Sequence, residues 1–328
     1  MHPIPIQTRA SKSSIMPDQF YLAPLQGYTK VWYRNAFHAS LEGADKYFTP
    51  FFEEHRSGGF DPRLLPELDN ELNRGMTLIP QIVANEPAFL LKAYEAIREM
   101  GYPEINLNMG CPFPMLVKRS KGGGLMNQPD LVLRMLDTFY EQHPTAQLSV
   151  KMRSGLDDAA QGQAMIGLLN SYPLTEVIIH PRLVVQQYKG EPDWDAFDAM
   201  GQLCRHPLVA NGDINNVGDF ERLKNRFPNV QRWMMGRGWL SNPSLAREIR
   251  DGILTEGERL INLMKLHKAF HQLIMSQKQM PWQLKNQLLV QFWYYPSMQM
   301  ENGKRWFRKL GKANKPEAYQ DYINEVMW

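Results

Sequence analysis

The chain has 328 residues, of which 43% are hydrophobic and 22% charged, so it can bury a sizeable core and is not a disordered protein. No apolar run approaches the roughly 18–20 residues that span a bilayer, and the first residues lack the apolar core of a signal peptide. Two cysteines cannot build a disulfide framework, so we expect a reduced, cytoplasmic setting. Residues 1–16 are expected to form a flexible extension.

Eight short apolar segments recur between residues 17 and 252, with helical stretches between them. In chain order they are FYLAPL (20–25), ADKYFTPFF (44–52), TLIPQIVA (77–84), EINLN (104–108), AQLSVKM (146–152), TEVIIH (175–180), PLVANG (207–212) and VQRWMMG (230–236). Strands alternating with amphipathic helices indicate a parallel sheet, and eight such units predict an α/β fold, a (β/α)8 TIM barrel. The alternative is a doubly wound open sheet, which usually carries a glycine-rich turn after its first strand, and this sequence has no such turn.

The last part of the chain, residues 253–328, has no strand pattern. It reads as a long helix over 258–277 followed by three further helices that are separated by Pro, Gly and Asn. We therefore expect an all-α helical bundle domain after the barrel.

Positive charge is concentrated in this helical part. Between Arg259 and Lys315 there are eleven Lys and Arg and one acid, Glu301, so this span carries +10, and the rest of the chain must carry −7 to reach the total of +3. Such asymmetry predicts a polyanionic partner, although a solvated helical surface would have the same composition. Aromatic residues are interleaved with the cations, namely Trp282, Trp293, Tyr294, Tyr295 and Trp306, and many of them are expected in the core of the bundle.

Polar residues follow strand after strand of the predicted barrel. They are Gln81, Asn108 with Cys111, Lys151 with Arg153, His180, Asn211-Gly212-Asp213, and Gly236-Arg237. Because barrel enzymes place their chemistry at the carboxyl ends of the strands, this joint placement predicts an active site there.

The turns after the last two strands, NGD (211–213) and GRG (236–238), have the composition of a phosphate cradle. Arg237 could bind a phosphate with two hydrogen bonds. The alternative is two turns that only close the barrel. Lys151 and His180 would suit the pyrimidine edge of a flavin, but a sugar phosphate or an acidic substrate would attract the same groups.

Six sequence blocks in order resemble the tRNA-dihydrouridine synthases, which are FMN-dependent barrels with a C-terminal helical domain. The blocks are APLQGYT, INLNMGCP followed by GGGLM, VKMRSG, HPRLVVQQYKGEPDW, ANGDI and MMGRGWLSNP. The helical tail resembles that of the bacterial C-type branch. Two positions depart from the family pattern: Gln26 stands where an acid is usual, and Pro181 where Gly is common.

The resemblance implies a role for each matching residue. FMN would be held by Pro24, Leu25, Gln81, Lys151, His180, Asn211, Gly212, Asp213, Gly236 and Arg237. The target uracil would contact Asn108, Arg153 and Tyr188, and Cys111 would be the general acid.

The implied reaction is the reduction of the C5–C6 double bond of a uridine in tRNA, driven by NADPH. Hydride would pass from FMN to C6, and Cys111 would deliver a proton to C5 of a base extruded from the RNA fold. A free cysteine, with a pKa of about 8.5, is already mostly protonated near neutral pH, as this role requires. The alternative for Cys111 is a small buried apolar residue.

The loop after Cys111 has a cluster of cations and then three glycines. Lys118, Arg119 and Lys121 are predicted at the rim where the RNA backbone passes, and glycines 122–124 would let the loop fold back over the mouth. We expect Cys204 to be a core residue.

His267 and His271 are four residues apart, but no third metal ligand is evident nearby, so we expect two surface histidines and no metal. A monomer is expected. Two other functions stay open from the sequence alone: a dihydroorotate-dehydrogenase-like flavin barrel acting on a free pyrimidine, which would have no use for the basic tail, and a non-catalytic RNA-binding barrel, which would lack flavin.

Overall fold

The computed structural model describes residues 17–41, 43–55 and 59–326 of the chain, so the expected extension 1–16 lies outside the described residues. Parallel strands form one sheet, namely β1 (Gln19–Leu22), β2 (Lys46–Phe48), β3 (Leu78–Ile79), β4 (Gln81–Ile82), β5 (Glu104–Met109), β6 (Gln147–Gly155), β7 (Val177–Leu183), β8 (Leu208–Asn211) and β9 (Arg232–Met235).

The sheet closes into a barrel. Its strand order is β3-β2-β1-β9-β8-β7-β6-β5-β4, and the two end strands, β3 and β4, are separated only by Pro80. Proline has no N–H for the ladder, so it divides one strand into two short pieces. The predicted eight-stranded barrel is confirmed, and the open doubly wound sheet is wrong because β1 pairs with β9.

Helices surround the barrel and follow it. The first group is α1 (Val31–Ser40), α2 (Pro87–Glu99), α3 (Pro114–Val117), α4 (Pro129–Gln142), α5 (Ala160–Leu169), α6 (Trp194–Leu203), α7 (Val217–Arg226), α8 (Arg237–Ser241) and α9 (Leu245–Asp251). The second group is α10 (Glu256–Ser276), α11 (Trp282–Phe292), α12 (Gly303–Leu310) and α13 (Pro316–Val326). Short 3-10 helices occupy Pro62–Leu68, Gly122–Asn127, Val184–Gln186 and Pro296–Gln299.

Side chains fill the barrel interior, as in other barrels of this kind. One buried cluster lies inside the ring of strands, and it comprises Tyr21, Ala23, Phe48, Ile79, Ile178, Val209 and Met234. At the end where the strands begin, the Lys46 Nζ lies 3.2 Å from Glu104 Oε2 and 3.1 Å from Glu176 Oε1. The strand starts are therefore tied together by ion pairs, which leaves the other end for a site.

The helical region packs on the barrel through α1 and has its own core. The Tyr33 ring of α1 lies 6.4 Å from Phe270 and 6.1 Å from Phe292. Within the region, the Tyr319 hydroxyl lies 2.9 Å from His267 Nε2 and accepts a hydrogen bond from Trp293 Nε1 at 3.1 Å. The expectation that His267 is a surface residue is wrong, since this network buries it.

His271 is half-buried, with its ring stacked on Tyr319. Among residues 17–326, apart from the few not described, there is no group of three or more His, Cys, Asp or Glu placed to hold a metal. In the same part of the chain, each helix is too short or too polar to cross a membrane.

Candidate active site

A cavity of ≈ 500 Å³ opens at the carboxyl ends of the strands, between the barrel and the helical region. Its walls contain most of the residues predicted for the site, namely Pro24, Leu25, Asn108, Cys111, Lys151, Arg153, His180, Tyr188 and Arg237. The helical region adds Tyr294, Tyr295 and Met298. The remaining predicted residues, Gln81, Asn211, Gly212, Asp213 and Gly236, do not line the cavity.

Those remaining residues lie behind the walls and hold them. Gln81 is buried and accepts a hydrogen bond from the Asn108 amide at 2.8 Å. The Asn211 Oδ1 accepts from Lys151 Nζ at 2.7 Å. A Cβ built on Gly212 would lie 3.3 Å from the His180 ring, and one on Gly236 would lie 3.0 Å from Leu25. Each glycine therefore backs directly onto a cavity residue.

The loop that carries Cys111 is fixed from two sides. Asn108 Oδ1 accepts from the backbone N–H of Gly110 at 3.0 Å and of Cys111 at 2.9 Å. From the other side, the Gly123 N–H donates to the Cys111 carbonyl at 2.9 Å. Asn108, the residue before the last one of β5, thus orients the cysteine.

The glycine triplet has a different place from the one predicted. Glycines 122–124 are buried under the Cys111 loop and do not cover the mouth. Gly122 has φ +56°, and a Cβ on Gly124 would lie 2.5 Å from the Val117 carbonyl oxygen. Only glycine permits this close approach of the backbone.

The cations of the same loop also divide unequally. Lys121 Nζ lies 3.1 Å from Glu53 Oε1 and its side chain is mostly buried, whereas Arg119 lies 3.8 Å from the same carboxylate and is 59% exposed. Lys118 is exposed. The rim cations are therefore Lys118 and Arg119, while Lys121 anchors the loop.

Burial raises the pKa of the Cys111 thiol, although a hydrogen bond from the Phe113 N–H and the charge of Arg153 oppose the shift. The thiol therefore stays protonated at neutral pH, which suits a proton donor better than a nucleophile. Burial, together with the charge of Arg153, lowers the pKa of Lys151 to about 7.

Arg153 is locked by the backbone around it. Its Nε donates to the Gly110 carbonyl at 3.0 Å and its Nη1 to the Leu183 carbonyl at 2.9 Å. Burial lowers its pKa to about 10, so it stays charged at neutral pH. The guanidinium therefore presents a fixed positive charge beside the cysteine.

Arg182 is a site residue that the sequence reasoning missed. Its buried guanidinium donates to His180 Nε2 at 3.0 Å, to Gly190 O at 2.7 Å and to Asp213. A guanidinium can only donate, so His180 Nε2 is the acceptor and the ring carries its hydrogen on Nδ1. Burial and then the neighbouring cations, Lys151 first, hold the pKa of His180 well below its usual value, so the ring is neutral.

Asp213 joins the two arginines of this wall. Its carboxylate pairs with Arg182 and with Arg237. Burial alone would raise the pKa of Asp213, but hydrogen bonds from Arg182 and the charge of Arg237 lower it.

The sequence did contain a signal for Arg182, namely its spacing from His180. Residues two apart on a strand share a face, and Arg182 follows His180 by two.

Tyr188 stands at the mouth between two guanidiniums. Its ring centroid lies 5.5 Å from the guanidinium carbon Cζ of Arg153 and 5.0 Å from Cζ of Arg237. The side chain is 55% exposed, and the preceding Gln187 has φ +53°, which is uncommon for a residue with a side chain. A ring in this position can contact a planar group that enters the cavity.

The tail aromatics separate into two sets. Trp282, Trp293 and Trp306 each donate the indole N–H inside the helical region, so they are structural. Tyr294 and Tyr295 face the cavity, with Tyr28 5.7 Å and 4.9 Å from their rings. Only long-range packing brings Tyr28 to this cluster, so its contacts with Tyr294 and Tyr295 could not be predicted from the sequence.

Cys204 is half-buried at the end of α6, where it packs against the edge of the core.

Comparison with known families gives one consistent result. Residues 21–326 match the family model described as dihydrouridine synthase. Among curated proteins, the tRNA-dihydrouridine(16) synthase of Pseudomonas syringae pv. tomato is 27% identical over 85% of this chain and 91% of its own length. The tRNA-dihydrouridine synthase B of Pasteurella multocida is 26% identical over 71% of this chain and 69% of its own.

Solved structures with a similar fold are more distant in sequence. The old yellow enzyme from Trypanosoma cruzi superposes with a TM-score of 0.54 at 10% identity, and the match covers 73% of this chain and 89% of that protein. A morphinone reductase variant gives a TM-score of 0.51 at 11% identity over 73% of this chain and 88% of its own. At such low identity the likeness supports the barrel fold alone.

Proposed function

The chain belongs to the dihydrouridine synthase family, and on that premise we propose that it reduces the C5–C6 double bond of a uridine in tRNA, with FMN as cofactor and NADPH as reductant. The observation that carries the proposal is the cavity itself. A protonated cysteine, oriented by Asn108, shares one chamber with Lys151, His180 and Arg237. That combination of a proton donor and cationic cofactor contacts matches the reaction of the family.

The residues present fit FMN. The cavity walls in the described part of the chain carry three cations, Lys151, Arg153 and Arg237, and no carboxylate, which suits an anionic group. The volume of ≈ 500 Å³ lies within the range of cofactor and ligand sites. When bound, FMN supplies the hydride. The residues proposed to hold it are those predicted from the sequence, with Arg182 added behind His180 and Asp213.

The protein's own groups would bind the base and supply the proton. Asn108, Arg153 and Tyr188 are proposed to contact the uracil, and the Cys111 thiol to give its proton to C5. Because its pKa is raised, the thiol reaches the base in the acid form. General acid help of this kind contributes roughly 10²–10⁴-fold in rate.

The surroundings of the mouth fit an unpaired nucleotide. Phe113, Tyr188 and Tyr294 are exposed around it, at 55%, 55% and 36%. Monomeric proteins seldom expose several large apolar side chains together without a binding role, and RNA bases stack on such side chains. A base must leave its RNA fold to enter a closed chamber, so exposed aromatic side chains at the entrance would stabilise the extruded state.

Replacing Cys111 with alanine tests the catalytic part of the proposal. The variant is expected to bind FMN and to be reduced by NADPH like the wild type, while dihydrouridine formation falls by about 10²-fold or more. Flavin absorbance and dihydrouridine in the isolated tRNA are measured on the same preparation. Cys204→Ala is the matched control and should modify tRNA normally. Normal activity of Cys111→Ala would refute the general-acid role.

We further propose the arrangement that the sequence predicted: catalysis by residues 17–252, RNA binding by 253–328, and a cytoplasmic monomer. Position 16 of the tRNA is our choice for the target, because the relative from Pseudomonas syringae, which aligns over 85% of this chain, carries that number in its name. Mapping dihydrouridine in tRNA from a strain that lacks the gene tests it. Loss at another position would refute the choice without refuting the reaction.

A further inference from the structure

A second cavity of ≈ 410 Å³ lies beside the first and shares two of its residues, Tyr28 and Tyr294. Its floor is one face of α11, and its other wall is α12. Four of the nine lining residues carry carboxamides, so we call it the amide groove, and it comprises Tyr28, Gln283, Asn286, Gln287, Val290, Gln291, Tyr294, Phe307 and Gly311. Apart from the two shared tyrosines, these residues take no part in the first cavity.

The exposed amides of the groove are free to bind. Residues 283, 287 and 291 follow a spacing of four, so they share one face of α11, while Leu288 and Leu289 pack into the core on the other. Within the described chain, neither Gln283 nor Gln287 has a hydrogen-bond partner for its side chain. Each amide offers both a donor and an acceptor, which is the chemistry that matches a base edge.

Asn286 adds a more pointed observation. Its Nδ2 donates to the Ala313 carbonyl at 2.7 Å, whereas its Oδ1 is buried without a hydrogen-bond partner among the described residues. Leaving a buried acceptor unsatisfied costs about 1–3 kcal/mol. If the Asn286 side chain turns toward the groove, a ligand that donates a hydrogen bond there would remove that cost.

Aromatic rings line the end of the groove next to the first cavity. Tyr294 lies 5.7 Å from Tyr28 and 5.6 Å from Phe307, measured between ring centroids. These rings have exposed edges toward both cavities, since Tyr28 and Tyr294 line each of them. A flat base could pack here beside one that occupies the first cavity.

Cations adjoin the α12 wall. Lys304 and Arg308 are three or four residues from Phe307 and Gly311, so the helix places them along the edge of the groove. Both are exposed, and in the described part of the chain neither has an ion pair. Phosphates of a nucleic-acid strand would find unpaired positive charge there.

We propose that the amide groove binds a second unpaired nucleotide of the RNA substrate, next in the strand to the uridine that enters the first cavity. The inference rests on the proposed function and adds a base-reading site to it. The amides at the floor match the hydrogen-bonding edge of a base, and the rings between the two cavities match its stacking face. The cations at the edge match its phosphate. These cations, unpaired among the described residues, favour a nucleic-acid strand over a partner helix, which would be held by an apolar groove alone.

The test is the double variant Gln283→Ala/Gln287→Ala. Both side chains are exposed, so the fold should be unaffected. We expect the Kd for tRNA to rise about tenfold, as for the loss of two hydrogen bonds, with kcat within about twofold of the wild type. Gln272→Ala is the matched control, an exposed glutamine of α10 that lies outside the groove, and it should bind like the wild type. Equal affinities of the double variant and this control would overturn the proposal.

The RNA side of the test uses tRNA with a single abasic nucleotide on either side of the target uridine. For the wild type, one of the two abasic substrates should bind about tenfold more weakly. For the double variant the same change should cost clearly less than for the wild type, because the amide hydrogen bonds are already lost and only the stacking remains to be removed. Additive losses would overturn the proposal. If the losses are not additive but the wild type forms no dihydrouridine, the result would support the base site and refute the proposed reaction.

Discussion

Lys151 is the residue whose charge depends most on what occupies the cavity. Its pKa of about 7 in the bare chain follows from burial and from Arg153 on the same strand. An anionic group bound beside it favours the ammonium form. At any pH at which Lys151 is neutral before such a group binds, the binding must therefore be accompanied by the uptake of a proton.

The expected result is an affinity for FMN that falls as the pH rises above about 7, by up to tenfold per pH unit. The measurement is the quenching of flavin fluorescence on titration with apoprotein, between about pH 6 and about pH 9. Lys151→Met should bind more weakly and lose the pH-dependent slope, since methionine cannot take up the proton. Equal slopes in the two proteins would assign the proton uptake to another group.

Residue types at strand ends, together with the family resemblance, predicted nine residues of the cavity wall, because parallel strands bring their carboxyl ends to one place. Pairings between distant side chains were not predictable. Lys121 faces Glu53 across 68 residues, and Arg182 faces Asp213 across 31. Such contacts depend on how loops pack, and a local pattern contains no information about that.

Among the elements around the cavity, the short 3-10 helix Gly122–Asn127 is under a strong steric constraint. It lies beneath the Cys111 loop and meets it through backbone atoms, where even one methyl group has no space. Its sequence predicted that glycines 122–124 would let the loop fold back over the mouth. Burial shows the opposite role, a tightly packed support.

Gly124→Ala is expected to lower the free energy of unfolding by about 1–3 kcal/mol, because the added Cβ would lie against the Val117 carbonyl. Urea denaturation of the apoprotein measures it. The control is Gly167→Ala on α5, where an added Cβ meets nothing within 4 Å, and this change should raise stability by about 0.5–1 kcal/mol. If both substitutions stabilise the protein, the backbone beneath Cys111 has room for a methyl group and the steric argument is wrong.

Helix and strand positions followed from the period of apolar residues, and all four helices of the C-terminal region were predicted. The sequence did not show which aromatic side chains would be buried. His267 was expected at the surface because no third metal ligand was evident near it, yet the helix turns it onto Tyr319. Only the packing of α10 against α11 and α13 decides which face is inside.

At the scale of the whole molecule, charge is separated between the barrel and the helical region. The span from Arg259 to Lys315 carries +10, and the cations of α12 have no ion pairs among the described residues. Arg259 itself pairs with Glu248, so the surface available to RNA is centred further along the chain.

We expect the affinity for tRNA to fall steeply with salt. Lys304→Ala/Arg308→Ala should lower the slope of log Kd against log salt by about 2, roughly one for each phosphate that the variant no longer neutralises. Filter binding at several salt concentrations measures the slope. Lys92→Ala on the outer face of α2 is the control and should leave it unchanged. A slope that is unaffected by the double variant would place the RNA elsewhere.

Closure of the barrel has a consequence for how the chain must fold. The pairing of β1 with β9 joins residues more than 200 positions apart, for example Tyr21 with Met234. During synthesis β1 emerges early, but its second neighbour is made only after the rest of the barrel. Until then one edge of the first strand is open to wrong partners, and contacts of such separation form slowly. The first strand to leave the ribosome, β1, is therefore the last to have both of its edges paired.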